Sequence, residues 1–283
     1  MLSPELEQTR IIGVYLVKNE EFFLEQVVVN TYAFCDQLII IDNHSSDSTY
    51  DIAKRLAEKS AKIAVHRVKE PSDSHEFVRP FCNTKTWIFA VDGDEIYDPK
   101  GLALFKEKLL AGYYDDWWVL FGNVLNCTQI NFDTFQAEGY LAPPCRSVTK
   151  LYNFYAVNDW TDCEAERLHG GNIHFKKEWN ADLRLDIHQN VDWDKAVYRC
   201  LHTCFLQRSS KDKVEAHGLR LRENISDLRV TGIKMRIKRL ADKYLHRTRE
   251  SDWKKEKYMR GELVHKDVKK FFSLCFQDVA QTK

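Results

Sequence analysis

Four short apolar runs, each cut off by acidic, amide or hydroxyl side chains, constrain the fold of this chain more than any other feature. Ile11-Ile12-Gly13-Val14-Tyr15-Leu16-Val17 stops at Lys18-Asn19-Glu20-Glu21, and Gln37-Leu38-Ile39-Ile40-Ile41-Asp42 stops at Asn43-His44-Ser45-Ser46-Asp47-Ser48-Thr49. Ile63 to Val68 is a third run, and Trp87-Ile88-Phe89-Ala90-Val91 delivers Asp92-Gly93-Asp94-Glu95. Continuous β-branched runs of this length suit strands buried on both faces. Between the first two, Phe23, Val27, Val28 and Tyr32 recur near the helical period. A second helix is expected from Tyr50 to Lys59, after a polar cluster rich in N-cap residues. Strand, helix, strand in this order predicts an α/β domain, whose ligands gather at the carboxyl ends of the strands.

The rest of the chain is less regular. Lys69 to Thr86, with Pro71 and Pro80, reads as irregular, and Gly101 to Ala111 reads as a helix. Trp117 to Phe121, Leu151 to Tyr155 and Tyr198 to Phe205 read as further strands. From Ser209 onward no strand-like run is visible, and two or three exposed helices are expected. The formal net charge of zero hides an asymmetry: residues 208–283 hold 21 Lys+Arg against 11 Asp+Glu. The expected organisation is therefore a nucleotide-binding α/β half at 1–125, a second half of the same domain at 126–207, and a basic helical appendage at 208–283. Lys234-Met235-Arg236-Ile237-Lys238-Arg239-Leu240 and Lys254-Lys255-Glu256-Lys257 would form solvated helical faces, or would attract an anionic membrane surface, a nucleic acid or an acidic subunit.

Composition excludes several classes. No apolar run approaches the roughly 18 to 20 residues of a membrane-spanning helix. The first ten residues have no basic start or signal-type core, and the eight cysteines contain no CxxC pair. A cytoplasmic protein, free or peripheral to a membrane, is the expectation. Neither a strand-GxGxxG-helix context nor a Walker-type sequence is present, which disfavours dehydrogenases and P-loop kinases.

Asp92-Gly93-Asp94 brings two carboxylates together around a glycine that lets backbone approach a ligand. Hard divalent cations, Mn²⁺ or Mg²⁺, prefer such oxygens and would neutralise a diphosphate. An acidic turn is the bland alternative, and the preceding strand and following Glu95 argue against it. Taken together, Val17-Lys18-Asn19-Glu20, Ile41 to Thr49 and Trp87 to Glu95 resemble the family 2 glycosyltransferases of the GT-A fold, over roughly residues 10 to 100. The resemblance implies a mixed central sheet flanked by helices and a nucleoside-diphosphate-sugar donor, UDP-sugar favoured, in a hexosyltransferase-type reaction. It places Val17, Asn19, Glu20, Asp42, Asn43, Asp92 and Gly93 around the donor. It also makes Asp92-Gly93-Asp94 a DXD-type motif in which Asp94, with Asp92, meets metal and diphosphate. Arg79 is read equally well as a phosphate partner or as a surface arginine.

In the second half, Trp160-Thr161-Asp162-Cys163-Glu164-Ala165-Glu166 keeps the first and last members of a Trp-x-Gly-x-x-His-Glu pattern that relatives carry, without its glycine and histidine. Glu166 is then the candidate base for an acceptor hydroxyl, with Asp162 and Glu164 as rivals. His202 is either a metal or diphosphate contact or a satisfied core histidine. The reaction expected is inverting transfer to a hydroxyl-bearing acceptor, a glycan or lipid-linked glycan. Two alternatives stand beside it: a DNA-modifying glycosyltransferase acting on hydroxymethylated bases, and an inactive GT-A-like binding module.

Overall fold

The computed structural model describes residues 8–141, 150–161, 171–187, 191–212 and 257–275. Its first half contains β1 (Arg10–Val17), α1 (Leu24–Tyr32), β2 (Gln37–Asp42), α2 (Thr49–Lys59), β3 (Ile63–Arg67), β4 (Thr86–Asp92), β5 (Glu95–Tyr97) and α3 (Pro99–Leu110). There follow β6 (Val119–Phe121), β7 (Asn123–Asn131), β8 (Gln136–Tyr140), β9 (Lys150–Asn153), β10 (Val157–Thr161), β11 (Asn172–Phe175), β12 (Arg184–Asp186), β13 (Arg199–His202) and β14 (Leu263–Asp267). The α/β class with a mixed central sheet, expected from the sequence, is the one observed.

The main sheet has seven strands in the order β12-β6-β9-β4-β1-β2-β3. Strands β4, β1, β2 and β3 run parallel, and β9 enters antiparallel between β4 and β6. Because successive side chains point to opposite faces, each parallel run serves two cores. Ile11, Tyr15, Leu38, Ile40, Trp87 and Phe89 face one, and Ile12, Val14, Ile39, Ile41 and Ile88 face the other. Helices α1, α2 and α3 pack on the first face through residues such as Val27, Leu56 and Phe105. The antiparallel β10–β11 pair and the 3-10 turns at 71–81 cover the second, with Trp160 and Val78 buried there. Each fully buried aliphatic or aromatic side chain contributes about 1.5–3 kcal/mol, so the uninterrupted runs fix the sheet centre.

A second sheet, β14-β8-β7-β13-β5, stands beside the first and carries β5 directly after the turn at Gly93. The expected all-helical end of the chain is corrected here. Residues 213–256, which include Lys234 to Leu240 and Lys254 to Glu256, lie outside the described residues. Leu263–Asp267, however, pairs antiparallel with β8. An edge strand needs only alternate residues partly covered, and charges on its open side protect it from further pairing. Its composition therefore resembles that of a basic helix. Phe271 beyond it is fully buried and stacks on Trp193 with ring centroids 5.9 Å apart. No helix among the described residues is long and apolar enough to cross a membrane.

Candidate functional site

Register brings three strand ends to one level: Val17 of β1 lies opposite Asp42 of β2, and Leu16 lies opposite Asp92 of β4. The loops that leave them are tied into one body. Asn19 adopts a left-handed φ of 54°. Its amide donates to Ser45 Oγ at 2.9 Å, and its Oδ1 accepts from the Ser46 amide at 2.8 Å. The Glu20 amide donates to Thr49 Oγ1 at 2.7 Å. The hydroxyls after β2 thus lock the β1 loop, beyond any role at the start of α2.

Asp42 and Asn43 are turned inward. The Asp42 carboxylate is fully buried, accepts from the Ser45 amide, and pairs with Arg67 Nε at 3.0 Å. Arg67 in turn lies over the Tyr50 ring, 4.6 Å from its centroid. Asn43 donates its backbone amide to the Val17 carbonyl at 2.8 Å and its side-chain amide to the Lys69 carbonyl at 3.0 Å. Both residues hold the walls of the crevice in place through these bonds. Arg79 pairs with Asp159 of β10 at 3.3 Å. The segment containing Asp162 and Glu166 lies outside the described residues. Trp160, just before it, is buried against His75, whose ring centroid is 4.4 Å away.

The chain reverses at Gly93 so that Asp92 stays exposed while Asp94 and Glu95 turn inside. A Cβ on Gly93 would lie 2.5 Å from Glu20 Cγ and 2.9 Å from Glu20 Cβ. Those are the near atoms of a side chain whose far end is ion-paired, so it cannot easily give way. Gly93→Ala is expected to destabilise the protein by about 1–3 kcal/mol, read as a lower denaturant midpoint; an unchanged midpoint would show that Glu20 is free to rotate. Behind the turn, Glu95 is fully buried and receives the Tyr97 hydroxyl at 2.7 Å. Burial, reinforced by the neighbouring Asp92 charge, pushes its pKa well above the usual carboxylate range.

The inward Asp94 is the centre of the site. Its Oδ2 meets Arg208 Nη1, which also contacts Glu20 Oε1 at 3.1 Å. His202 Nε2 lies 3.7 Å from the same Asp94 oxygen. On the other side of the ring, His202 Nδ1 lies 2.9 Å from Asn126 Oδ1, and the Asn126 amide nitrogen donates to the Tyr140 carbonyl at 3.5 Å. The Tyr258 ring packs edge-on against His202 at 5.0 Å. Burial alone would lower the Arg208 pKa, but the Asp94 and Glu20 carboxylates outweigh it and raise the pKa.

Of the residues proposed from sequence, Glu20, Gly93, Asp94 and His202 are brought together, with Asp92 at the open rim. Arg208, Asn126 and Tyr258 were missed. Arg208 had been counted with the basic appendage, and nothing in the sequence separates it from the many cations that follow.

The side chains fit a divalent cation. With Asn126 Oδ1 as acceptor, His202 carries a proton on Nδ1, and a neutral ring would turn its Nε2 lone pair toward the Asp94 carboxylate. Two electron-pair donors 3.7 Å apart can share an ion, given bonds of about 2.1 Å to each. No group of three His, Cys, Asp or Glu side chains is gathered for metal binding among the described residues. An ion here would need further ligands beyond these two side chains.

No protein-family model and no curated protein matches the chain. Among solved structures, TarS of S. aureus, in complex with UDP, is similar at 16% identity and a TM-score of 0.37, over 52% of this chain and 47% of that one. Glucosyl-3-phosphoglycerate synthase from Mycobacterium tuberculosis, in complex with Mn²⁺, UDP-glucose and phosphoglyceric acid, matches at 18% identity and a TM-score of 0.32, over 41% of this chain and 44% of that one. A 4-diphosphocytidyl-2C-methyl-D-erythritol synthase from Anaerococcus prevotii matches at 13% identity and a TM-score of 0.32, over 53% of this chain and 72% of that one. The chain spans about half the length of the first two.

Proposed function

We propose that this chain is a metal-dependent glycosyltransferase of the GT-A kind, related to family 2, that uses a nucleoside-diphosphate sugar with UDP-sugar favoured. The observation that carries the reading is the Asp94–His202 pair, set behind Gly93 at the level where β1, β2 and β4 end. Asp94 and His202 would hold the ion, and the imidazole nitrogen favours Mn²⁺ over Mg²⁺. When bound, the ion offsets the charge of the diphosphate and of the leaving nucleoside diphosphate. The charge balance supports this assignment. Glu20 and Asp94 contact Arg208, and the Asp212 carboxylate adds to their field, so a diphosphate entering alone would meet an excess of negative charge at a buried site.

The chain's own residues do the remaining work. Gly93 lets the turn backbone pack against Glu20 and Val17, and Val17, Asn19 and Asn43 shape the nucleoside pocket. Asp42 acts through Arg67, which it orients. Glu166, with Asp162 as rival, is the proposed base that takes the proton of the acceptor hydroxyl as its oxygen attacks the anomeric carbon, giving inversion. A glycan or lipid-linked glycan is the proposed acceptor class.

The test is a melting-temperature screen of UDP-, GDP- and other nucleotide sugars with and without Mn²⁺. A true donor at about a hundredfold over its Kd adds about 2.7 kcal/mol to apparent stability, and the increment should need the ion. If no nucleotide sugar raises the melting temperature with Mn²⁺ or Mg²⁺, the reading fails.

A further inference from the structure

Arg208 sits where a cation bound to Asp94 would be sought, and its surroundings show which part of it can move. Its backbone is fixed: the amide donates to Asp212 Oδ2 at 2.9 Å and the carbonyl accepts from the Phe22 amide at 3.1 Å. The next residues extend the clamp. Ser209 Oγ donates to Asp47 Oδ2 at 2.5 Å, and the Ser210 amide donates to Glu21 Oε1 at 2.6 Å. The guanidinium itself is held at Nη1 by two carboxylates, while its buried Nε has no acceptor among the described residues. A fork with a donor to spare, on a rigid base and 9% exposed, is incompletely matched by Glu20 and Asp94.

We propose that Arg208 is the resident counter-ion of Asp94, displaced when a divalent ion and a diphosphate enter together. The inference rests on the donor-site reading above and adds an order of events to it. Arginine does not lose its proton in proteins, so Asp94 Oδ2 becomes available to a metal only when the fork swings away. A metal arriving alone must displace that fork and leave it with Glu20 as its remaining carboxylate. A diphosphate supplies the bidentate anionic partner that the planar guanidinium fork prefers. Metal and diphosphate therefore tighten each other's binding, and the coupling is reciprocal.

The experiment measures Mn²⁺ bound to the full chain by water-proton relaxation enhancement, first without any phosphate and then with inorganic pyrophosphate. Wild-type protein is expected to bind Mn²⁺ weakly alone and about tenfold more tightly with pyrophosphate, within the usual range of coupling between sites. Arg208→Gln is expected to bind Mn²⁺ alone about tenfold more tightly than wild type and to lose most of the pyrophosphate effect. Adding Asp94→Asn to that variant should abolish the gain. Unchanged or weaker Mn²⁺ binding by Arg208→Gln overturns the proposal. Should that variant fail to fold by circular dichroism, Arg208→Lys decides. Its single ammonium cannot reproduce the fork, so Mn²⁺ alone should bind severalfold more tightly, and unchanged affinity overturns the exchange. Neither measurement uses a sugar, so failure here is distinct from a failed nucleotide-sugar screen on wild-type protein.

Discussion

On the proposed function, Asp94→Asn is expected to lower kcat/KM for transfer from the nucleotide sugar by about a thousandfold, whereas Asp92→Asn should lower it by about tenfold. The difference follows from where the turn at Gly93 sends each side chain. Asp94 is buried, faces His202 Nε2 at 3.7 Å and is bonded to Arg208, while Asp92 is exposed at the end of β4. An ion held by Asp94 and His202, as proposed, would supply several kcal/mol of charge stabilisation, and each 1.36 kcal/mol is about tenfold in rate. The asparagine amide keeps the shape but removes the charge that binds the ion. Folding should suffer less, by about 1–3 kcal/mol, because Glu20 remains beside the Arg208 guanidinium. Steady-state kinetics on both variants, with melting curves as controls, decide the matter. A larger loss for Asp92→Asn would move the ion to the rim and leave Asp94 a structural role.

The parts of this architecture that were legible in the sequence are those whose cause is local. β1, β2 and β4 are buried on both faces and so read as uninterrupted apolar runs. The helix expected over Gly101 to Ala111 was legible as well, and is observed as Pro99–Leu110 with Pro99 in its first turn. β7 was invisible, since Asn123-Val124-Leu125-Asn126-Cys127-Thr128-Gln129-Ile130-Asn131 mixes polar residues into a strand that lies inside the second sheet. One of those polar residues, Asn126, is the one that orients His202. Asp42 was legible as a strand-end carboxylate but not as half of an ion pair. Its partner Arg67 stands opposite it only through the β2–β3 register, and periodicity in one strand does not specify register with the next. Arg208 is the extreme case, 114 positions from Asp94 and chemically indistinguishable from the cations around it.

Asp98→Ala should produce the largest loss of stability among single substitutions discussed, about 4–6 kcal/mol, with a fall in melting temperature of roughly 10 °C or more. Asp98 is a junction. Its Oδ1 accepts from the Gly101 amide at 3.2 Å and caps α3, and its Oδ2 receives Arg199 Nε at 3.1 Å and Nη2 at 2.9 Å. Arg199 also donates Nη1 to the Trp193 carbonyl and lies beside the stacked rings of Trp193 and Phe271, 5.2 and 5.8 Å from their centroids. The side chain is 3% exposed and keeps its charge, so removing the carboxylate strands a buried cation, a change that costs about 3–5 kcal/mol before the cap is counted. Lys270, 3.5 Å from the same oxygen, is itself a cation and adds repulsion. Asp98→Asn should retain the cap and lose about 1 kcal/mol less. The decisive comparison is Asp98→Ala combined with Arg199→Met. If the loss arises from an uncompensated charge, the double variant should melt well above Asp98→Ala alone; if it arises from the cap or from packing, the second change should lower stability further. Arg199 begins the strand that carries His202, and Phe271 belongs to the C-terminal segment that also brings Tyr258 onto His202. A rescue of melting temperature with metal affinity still weakened would therefore show that this buried pair also aligns β13 with the site.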